Sequence, residues 1–236
     1  MQLIKKYGLY IFSCLLFLDS FLVIMGLSKF RLYTIAIMMP LLIIYFYQNA
    51  KRSKKSVTYK KVYTSLWFAL LSDILFLINN YSLEKPSEIL VVLIFVSLLL
   101  ANLNYAHIFL RIKAFKLKKC PEAFIVSLVT IPAAFILYKV LNVVPIGSYK
   151  YPIIIGMGLM IIVIAITANV FGEKAKKSIA FENFIPGIFS LSLSLCLMLI
   201  FKFLISDVDF IPSVITLTYG FGHLLIIQGF VKYLKA

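Results

Sequence analysis

Two carboxylates, Asp19 and Asp73, stand within apolar runs long enough to cross a bilayer, and neither has a Lys or Arg placed within its own run to neutralise it. A charged side chain near the bilayer centre costs at least about 2.5 to 3.5 kcal/mol on insertion scales. An intramembrane Asp is therefore either a neutral carboxyl bonded to a neighbour or part of a site that relays protons or meets a ligand. Other polar residues share the interior. Asn104 and His107, three apart on the fourth apolar run, occupy one helix face, and Asn102 points elsewhere. His107 is expected about 10 Å nearer the cytoplasmic end than Asp73, at 1.5 Å of rise per residue, so a shared polar cavity is expected rather than a contact. Thr216, Tyr219 and His223, at spacings of three and four, make one polar stripe on the last run. For the two histidines, a structural interhelical hydrogen bond and a functional role stay open. Ser13, Ser20, Ser190, Ser192 and Ser194 read as small residues that let membrane helices approach.

The elements that must carry these residues follow from composition. Hydrophobic residues make up 62% of the 236 and charged residues 14%, against about 25% charged in a soluble domain. Eight apolar runs can be marked, 7–26, 31–48, 62–80, 89–110, 123–143, 151–171, 184–204 and 211–231. Each approaches the roughly 20 residues that a membrane helix needs, and none shows the period-two alternation of a barrel strand. The expectation is an all-α polytopic membrane protein, with eight transmembrane helices in one bundle and residues 1–236 forming a single transmembrane domain. Pro152, Pro186 and Pro212 sit at span starts, where a first helical turn accepts them. Pro40 and Pro132 lie deeper and predict kinks.

Basic residues punctuate the gaps. One side collects Lys5 and Lys6, the cluster from Lys51 to Lys61, the cluster from Arg111 to Lys119, then Lys174, Lys176, Lys177, Lys232 and Lys235. The other side holds only Lys29, Arg31, Lys85, Lys139, Lys150 and Lys202, with Glu84, Glu88, Asp207 and Asp209 nearby. The positive-inside rule then puts both termini in the cytoplasm. A net charge of +15 spread in this way is an orientation signal and not a nucleic-acid patch. Cys14, Cys120 and Cys196 are too few and too scattered for a disulfide framework or a metal site, and no metal or cofactor is expected. The first run lacks a signal-peptidase pattern and reads as a retained helix.

The chain echoes itself: Asn104-Tyr105-Ala106-His107-Ile108-Phe109 in the fourth run parallels Gly220-Phe221-Gly222-His223-Leu224-Leu225 in the eighth. This suggests a four-plus-four parallel repeat, with a ligand cavity between the halves.

Several segments together resemble the YhhN family, eight-span bacterial proteins related to eukaryotic lysoplasmalogenases. Phe68-Ala69-Leu70-Leu71-Ser72-Asp73 is similar to the family's third-span segment, Tyr105-Ala106-His107 to its fourth-span segment, and Met39-Pro40-Leu41-Leu42 to its second-span segment. Thr218-Tyr219, followed by His223, is similar to its last-span segment. The family's Lys-Pro before the Met-Pro segment stands here as Ile35-Ala36, and the Tyr three residues after the fourth-span histidine is Leu110. The seventh-span Ser-Asp stands as Ser192-Leu193, so the family's second carboxylate is replaced.

The activity this resemblance implies is hydrolysis of the vinyl ether bond of a lysoplasmalogen, which needs a proton donor to the alkene carbon and a base to direct water. Asp73 takes the acid role, His107 or Asp19 is left for the second, and Asn104, Tyr219, His223 and Asp19 would contact substrate. The expected partner is a membrane lipid or similar amphiphile. The alternatives are a non-catalytic lipid-binding relative, a subunit of a larger membrane assembly, and a small transporter that relays protons through Asp19 and Asp73. The transporter lacks matching Gly/Pro-interrupted half-helices.

Overall fold

The computed structural model describes residues 2–50, 54, 56–82, 87–112, 177–203 and 210–235. Among them every regular element is helical and no strand occurs. The six long helices are α1 (Gln2–Ile24), α2 (Arg31–Asn49), α3 (Val57–Leu77), α4 (Glu88–Ile112), α5 (Ile185–Phe203) and α6 (Ile211–Lys235). Six of the eight expected runs coincide with these helices. The fifth and sixth expected runs lie outside the described residues, and so do Pro132, Pro152, Cys120 and the grounds for the eight-span count and the repeat. Among the described residues five stretches are long and apolar enough to cross a membrane: Leu3–Ile24, Arg31–Asn49, Val57–Asn80, Ile89–Phe109 and Ile211–Lys235. Their outward faces carry Tyr10, Phe17, Phe21, Ile37, Trp67 and Ile74, all exposed and suited to hydrocarbon.

Local chemistry explains where the helices begin and end. α1 stops at Gly26, whose φ of 69° is the left-handed conformation that glycine adopts most cheaply. The Gly26 N–H bonds Val23 O at 3.0 Å and the Leu27 N–H bonds Leu22 O at 2.9 Å, the paired closure of a Schellman motif. α3 starts at Ser56, whose hydroxyl accepts from the Tyr59 N–H at 3.0 Å as an N-cap. Pro212 is the second residue of α6, where no intrahelical N–H bond is lost, whereas Pro186 lies within a helical stretch already under way from Lys177, just past the π-helical turn Ala180–Phe184, so the first-turn placement expected for it is not found. α2 runs on through Pro40 as one helix. Short π-helical turns follow α3 at Ile78–Ser82 and precede α5 at Ala180–Phe184.

Two sets of contacts give the helix directions. At one end Lys235 Nζ donates to Asn49 Oδ1 at 3.2 Å, and Asn49 Nδ2 donates to Lys5 O at 3.2 Å. At the other end the Ser213 hydroxyl donates to Ser20 O at 3.2 Å. α1 is therefore antiparallel to both α2 and α6. Along the α3–α4 seam Ser65 donates to Ala101 O at 3.1 Å and Ser72 to Ile94 O at 3.5 Å, so those two helices are antiparallel as well. Phe46 near the end of α2 stacks on Tyr59 near the start of α3 at 5.2 Å, so that pair is antiparallel too, and α4 and α6 consequently run the same way.

Close approach is permitted by small residues. A methyl on Gly222 would lie 2.6 Å from Leu191 Cγ and 2.9 Å from Gly187 O, so α5 and α6 nearly touch backbone to backbone. Ser194 completes that seam by donating to Ile215 O at 3.1 Å, the packing role expected of it. Below it lies an aromatic knot: Phe230 of α6 is 4.8 Å from Phe184, 5.7 Å from Phe109 and 5.8 Å from Tyr105, centroid to centroid. Such pairs contribute about 0.5 to 1.5 kcal/mol each beyond buried area, and they hold α4 against α6.

Candidate functional site

The polar stripe expected on α6 is present, and it faces inward. Thr216 and His223 are buried, and Tyr219 is partly buried between them. Each member meets a different neighbour. Thr216 Oγ1 accepts from Arg31 Nη2 at 2.9 Å, and the Tyr219 hydroxyl donates to Asp73 Oδ1 at 3.0 Å. The Tyr219 and His223 rings stand edge to face, 4.6 Å apart. Two residues of one helix, one turn apart, thus tie α6 to α2 and α3, and His223 packs on the second of them.

Asp19 is 0% exposed, and its cation comes from the next helix rather than its own span. Arg31, at the first turn of α2, donates from Nη2 at 3.0 Å and Nε at 3.2 Å to Asp19 Oδ2, and Thr34 donates its hydroxyl to Oδ1. The pairing is possible because α1 and α2 are joined by a tight turn that brings residue 31 back beside residue 19. Arg31 is 13% exposed and reaches on to Thr216, so one guanidinium links three helices. Arg31 and Thr34 were not among the residues singled out in the sequence. A signal existed: an Arg opening an apolar run on the side otherwise poor in cations, with a Thr one turn later on the same face.

Asp73 lies on α3, partly buried, facing α6. His107 is placed differently from the expected shared cavity. It is exposed, whereas Tyr105, two residues earlier and about 200° around the helix, is 1% exposed and packed on Phe230. The helical period forbids both from facing the same neighbour. Asn104, on the His107 side, is partly exposed, and Asn102 is buried. Leu193, which stands where the resemblance places a second carboxylate, is exposed on α5.

Two buried polar side chains, one of them packed on Tyr219, lack partners among the described residues. Neither ring nitrogen of His223 and not the hydroxyl of Tyr105 has a hydrogen bond among the described residues. No cluster of His, Cys, Asp or Glu among the described residues could hold a metal ion. The arrangement has an outer layer, Asp19 with Arg31 and Thr216, and an inner layer, Asp73 with Tyr219 and His223, whose contacts on α6 at Thr216 and Tyr219 are about 4.5 Å of helical rise apart. A fixed cation near the helix ends and a tyrosine-bonded carboxyl deeper in could hold an anionic head group and act on the chain attached to it.

No curated protein sequence and no solved structure matches this chain. Residues 30–230, which include every residue of both layers except Asp19, match the model of the YhhN family. The chain is a member of the YhhN family, with helices fit to span a membrane.

Proposed function

We propose that this protein hydrolyses the vinyl ether bond of a single-chain ether phospholipid within the bundle, the activity that its family resemblance implies. The observation that carries the reading is the Tyr219 hydroxyl bonded to Asp73 Oδ1 at 3.0 Å. A carboxyl engaged through one oxygen keeps the other for chemistry. In its protonated form Asp73 would give that proton to the alkene carbon remote from the ether oxygen, and the π pair would form the new C–H bond. The resulting oxocarbenium takes up water, and the hemiacetal collapses to an aldehyde and a glycerophospho-alcohol.

The outer layer supports the same substrate class. Asp19 acts through Arg31, holding the guanidinium near the helix ends, where a lipid phosphate sits. From Thr216 to Tyr219 is about 4.5 Å of helical rise, on the scale of a glycerol backbone between phosphate and ether oxygen. A lipid entering phosphate-outward would bring its vinyl ether to Asp73 and leave its tail in the hydrocarbon. The cation-rich helix ends carry Lys5, Lys6, Lys54, Lys232 and Lys235, which supports a bacterial inner-membrane bundle of eight spans with both termini cytoplasmic.

A second reading, a lipid-binding relative without turnover or a subunit of a membrane complex, is favoured by one observation. The position of the family's second carboxylate is an exposed leucine, Leu193. Aldehyde release from a 1-alkenyl lysophospholipid by protein purified in detergent separates the two. Hydrolysis should be lowered about 10² to 10⁴-fold by Asp73→Asn, the usual contribution of a positioned acid. Tyr219→Phe should lower it about tenfold, the worth of one hydrogen bond of roughly 1.4 kcal/mol. No aldehyde from wild-type protein, or an Asp73→Asn variant as active as wild type, would leave only the binding or subunit reading.

A further inference from the structure

His223 and Tyr105 have no place in the acid step, yet both are polar and almost fully buried, at 2% and 1% exposure. An unsatisfied buried donor or acceptor costs about 1 to 3 kcal/mol, and three atoms of these two side chains have no hydrogen-bond partner among the described residues. Their elements aim them at one region. α4 and α6 run parallel, and side chains on a helix lean toward its N-terminus. Tyr105 stacks on Phe230, two turns past His223 on α6, so its hydroxyl leans back toward the His223 level. The His223 ring meets the Tyr219 ring, whose hydroxyl is on Asp73. A buried water typically has about three polar partners, and these groups could supply them.

We propose that His223 and Tyr105 form the water-holding half of the site and that His223 is the base for the water step, an inference that rests on the hydrolytic reading above. Asp73 first transfers its proton to the alkene carbon and becomes a carboxylate. Tyr105 and His223 hold a water whose oxygen bonds the carbon attached to the ether oxygen, while its proton passes to the free imidazole nitrogen. The carbon–oxygen bond to the glycerol then breaks. The leaving oxygen takes the proton from His223, and the hemiacetal hydroxyl returns its proton to Asp73, so both side chains end as they began and one water is consumed. The arrangement gives the second role to a histidine of α6 in a chain that has Leu193 where the family carboxylate stands.

The two half-reactions separate in D2O. Reversible protonation by Asp73 exchanges the alkene hydrogen for deuterium, and only water addition releases aldehyde. His223→Phe should lower aldehyde release about 10² to 10⁴-fold and leave deuterium exchange into recovered substrate intact, whereas Asp73→Asn should lose both. Tyr105→Phe should lower release with exchange retained. A His223→Phe variant that hydrolyses within threefold of wild type, or that loses exchange as completely as release, overturns the proposal. A readout independent of turnover uses the fact that the chain has two histidines. In ¹⁵N-histidine protein carrying His107→Gln, the single imidazole should show hydrogen-bonded nitrogen shifts and a magnetisation-transfer peak to water, both altered by Tyr105→Phe. Absence of that water contact sinks the proposal even if aldehyde is formed. Absence of aldehyde from wild-type protein sinks the hydrolytic reading together with the base role, and the water peak then decides the water site alone.

Discussion

Removing the guanidinium from the outer layer should destabilise the bundle more than removing the carboxylate. Asp19 is 0% exposed, and it accepts from Arg31 Nη2 and Nε and from Thr34. Arg31→Met leaves that carboxylate buried with one neutral donor, and breaking a buried pair from one side costs about 3 to 5 kcal/mol. Asp19→Asn leaves a different orphan. The Arg31 side chain is 13% exposed, keeps Thr216 as a partner at 2.9 Å and can still donate to the amide oxygen. Its loss should be that of one or two charge-assisted bonds weakened to neutral ones, about 1 to 3 kcal/mol. The double variant Asp19→Leu with Arg31→Met removes both charges and should recover to within about 1.5 kcal/mol of wild type, since apolar replacement of a buried pair is often neutral. Reversible unfolding in mixed micelles, followed by circular dichroism and by fluorescence of the single tryptophan Trp67 on α3, measures all three. Losses below about 0.5 kcal/mol for both single variants would refute the claim that the pair is desolvated. A double variant as unstable as Arg31→Met would refute the claim that the unpaired charge is the cause.

Other outcomes follow from the same geometry. Gly222→Ala should destabilise by about 1 to 3 kcal/mol in the same unfolding assay, because its methyl would meet Leu191 Cγ at 2.6 Å and the Gly187 carbonyl at 2.9 Å, one of which is backbone. Leu193→Asp should add no vinyl ether hydrolysis, since residue 193 is exposed on α5; a tenfold gain would show that this position does reach the site. A cysteine at position 55 should escape membrane-impermeant reagents applied to intact cells, and one at position 84 should react, as the loop charges require. Efficient labelling at 55 would reverse the orientation.

Much of the architecture is carried by local signals. The six described helices begin and end near the limits of their apolar runs, because in lipid the chain can satisfy its backbone only by staying helical until a polar gap arrives. α1 is the instructive exception: it begins at Gln2, before Lys5 and Lys6, since a helix does not need to unwind where basic side chains can reach the interface. Pro212 marks a helix start as expected, Pro186 instead follows a π turn in a helix already under way, and the stripe of Thr216, Tyr219 and His223 follows from the helical period alone. Pro40, expected within a span rather than at its start, lies inside α2, which continues through it.

The partners of those residues were decided elsewhere. That Asp73 faces Tyr219 and that Asp19 finds Arg31 depends on how each helix is rotated about its axis, and rotation is set by contacts between helices far apart in sequence. Gly187 and Gly222 bring α5 onto α6, and the stack of Tyr105, Phe109 and Phe184 on Phe230 turns α4 so that Tyr105 enters the core and His107 leaves it. A segment read by itself shows that Tyr105 and His107 must face different ways, about 200° apart, but not which of them faces in. That choice needs the shape of the neighbour, because a membrane helix packs on van der Waals fit and buried polar contacts, both of which belong to pairs of helices and to neither sequence alone.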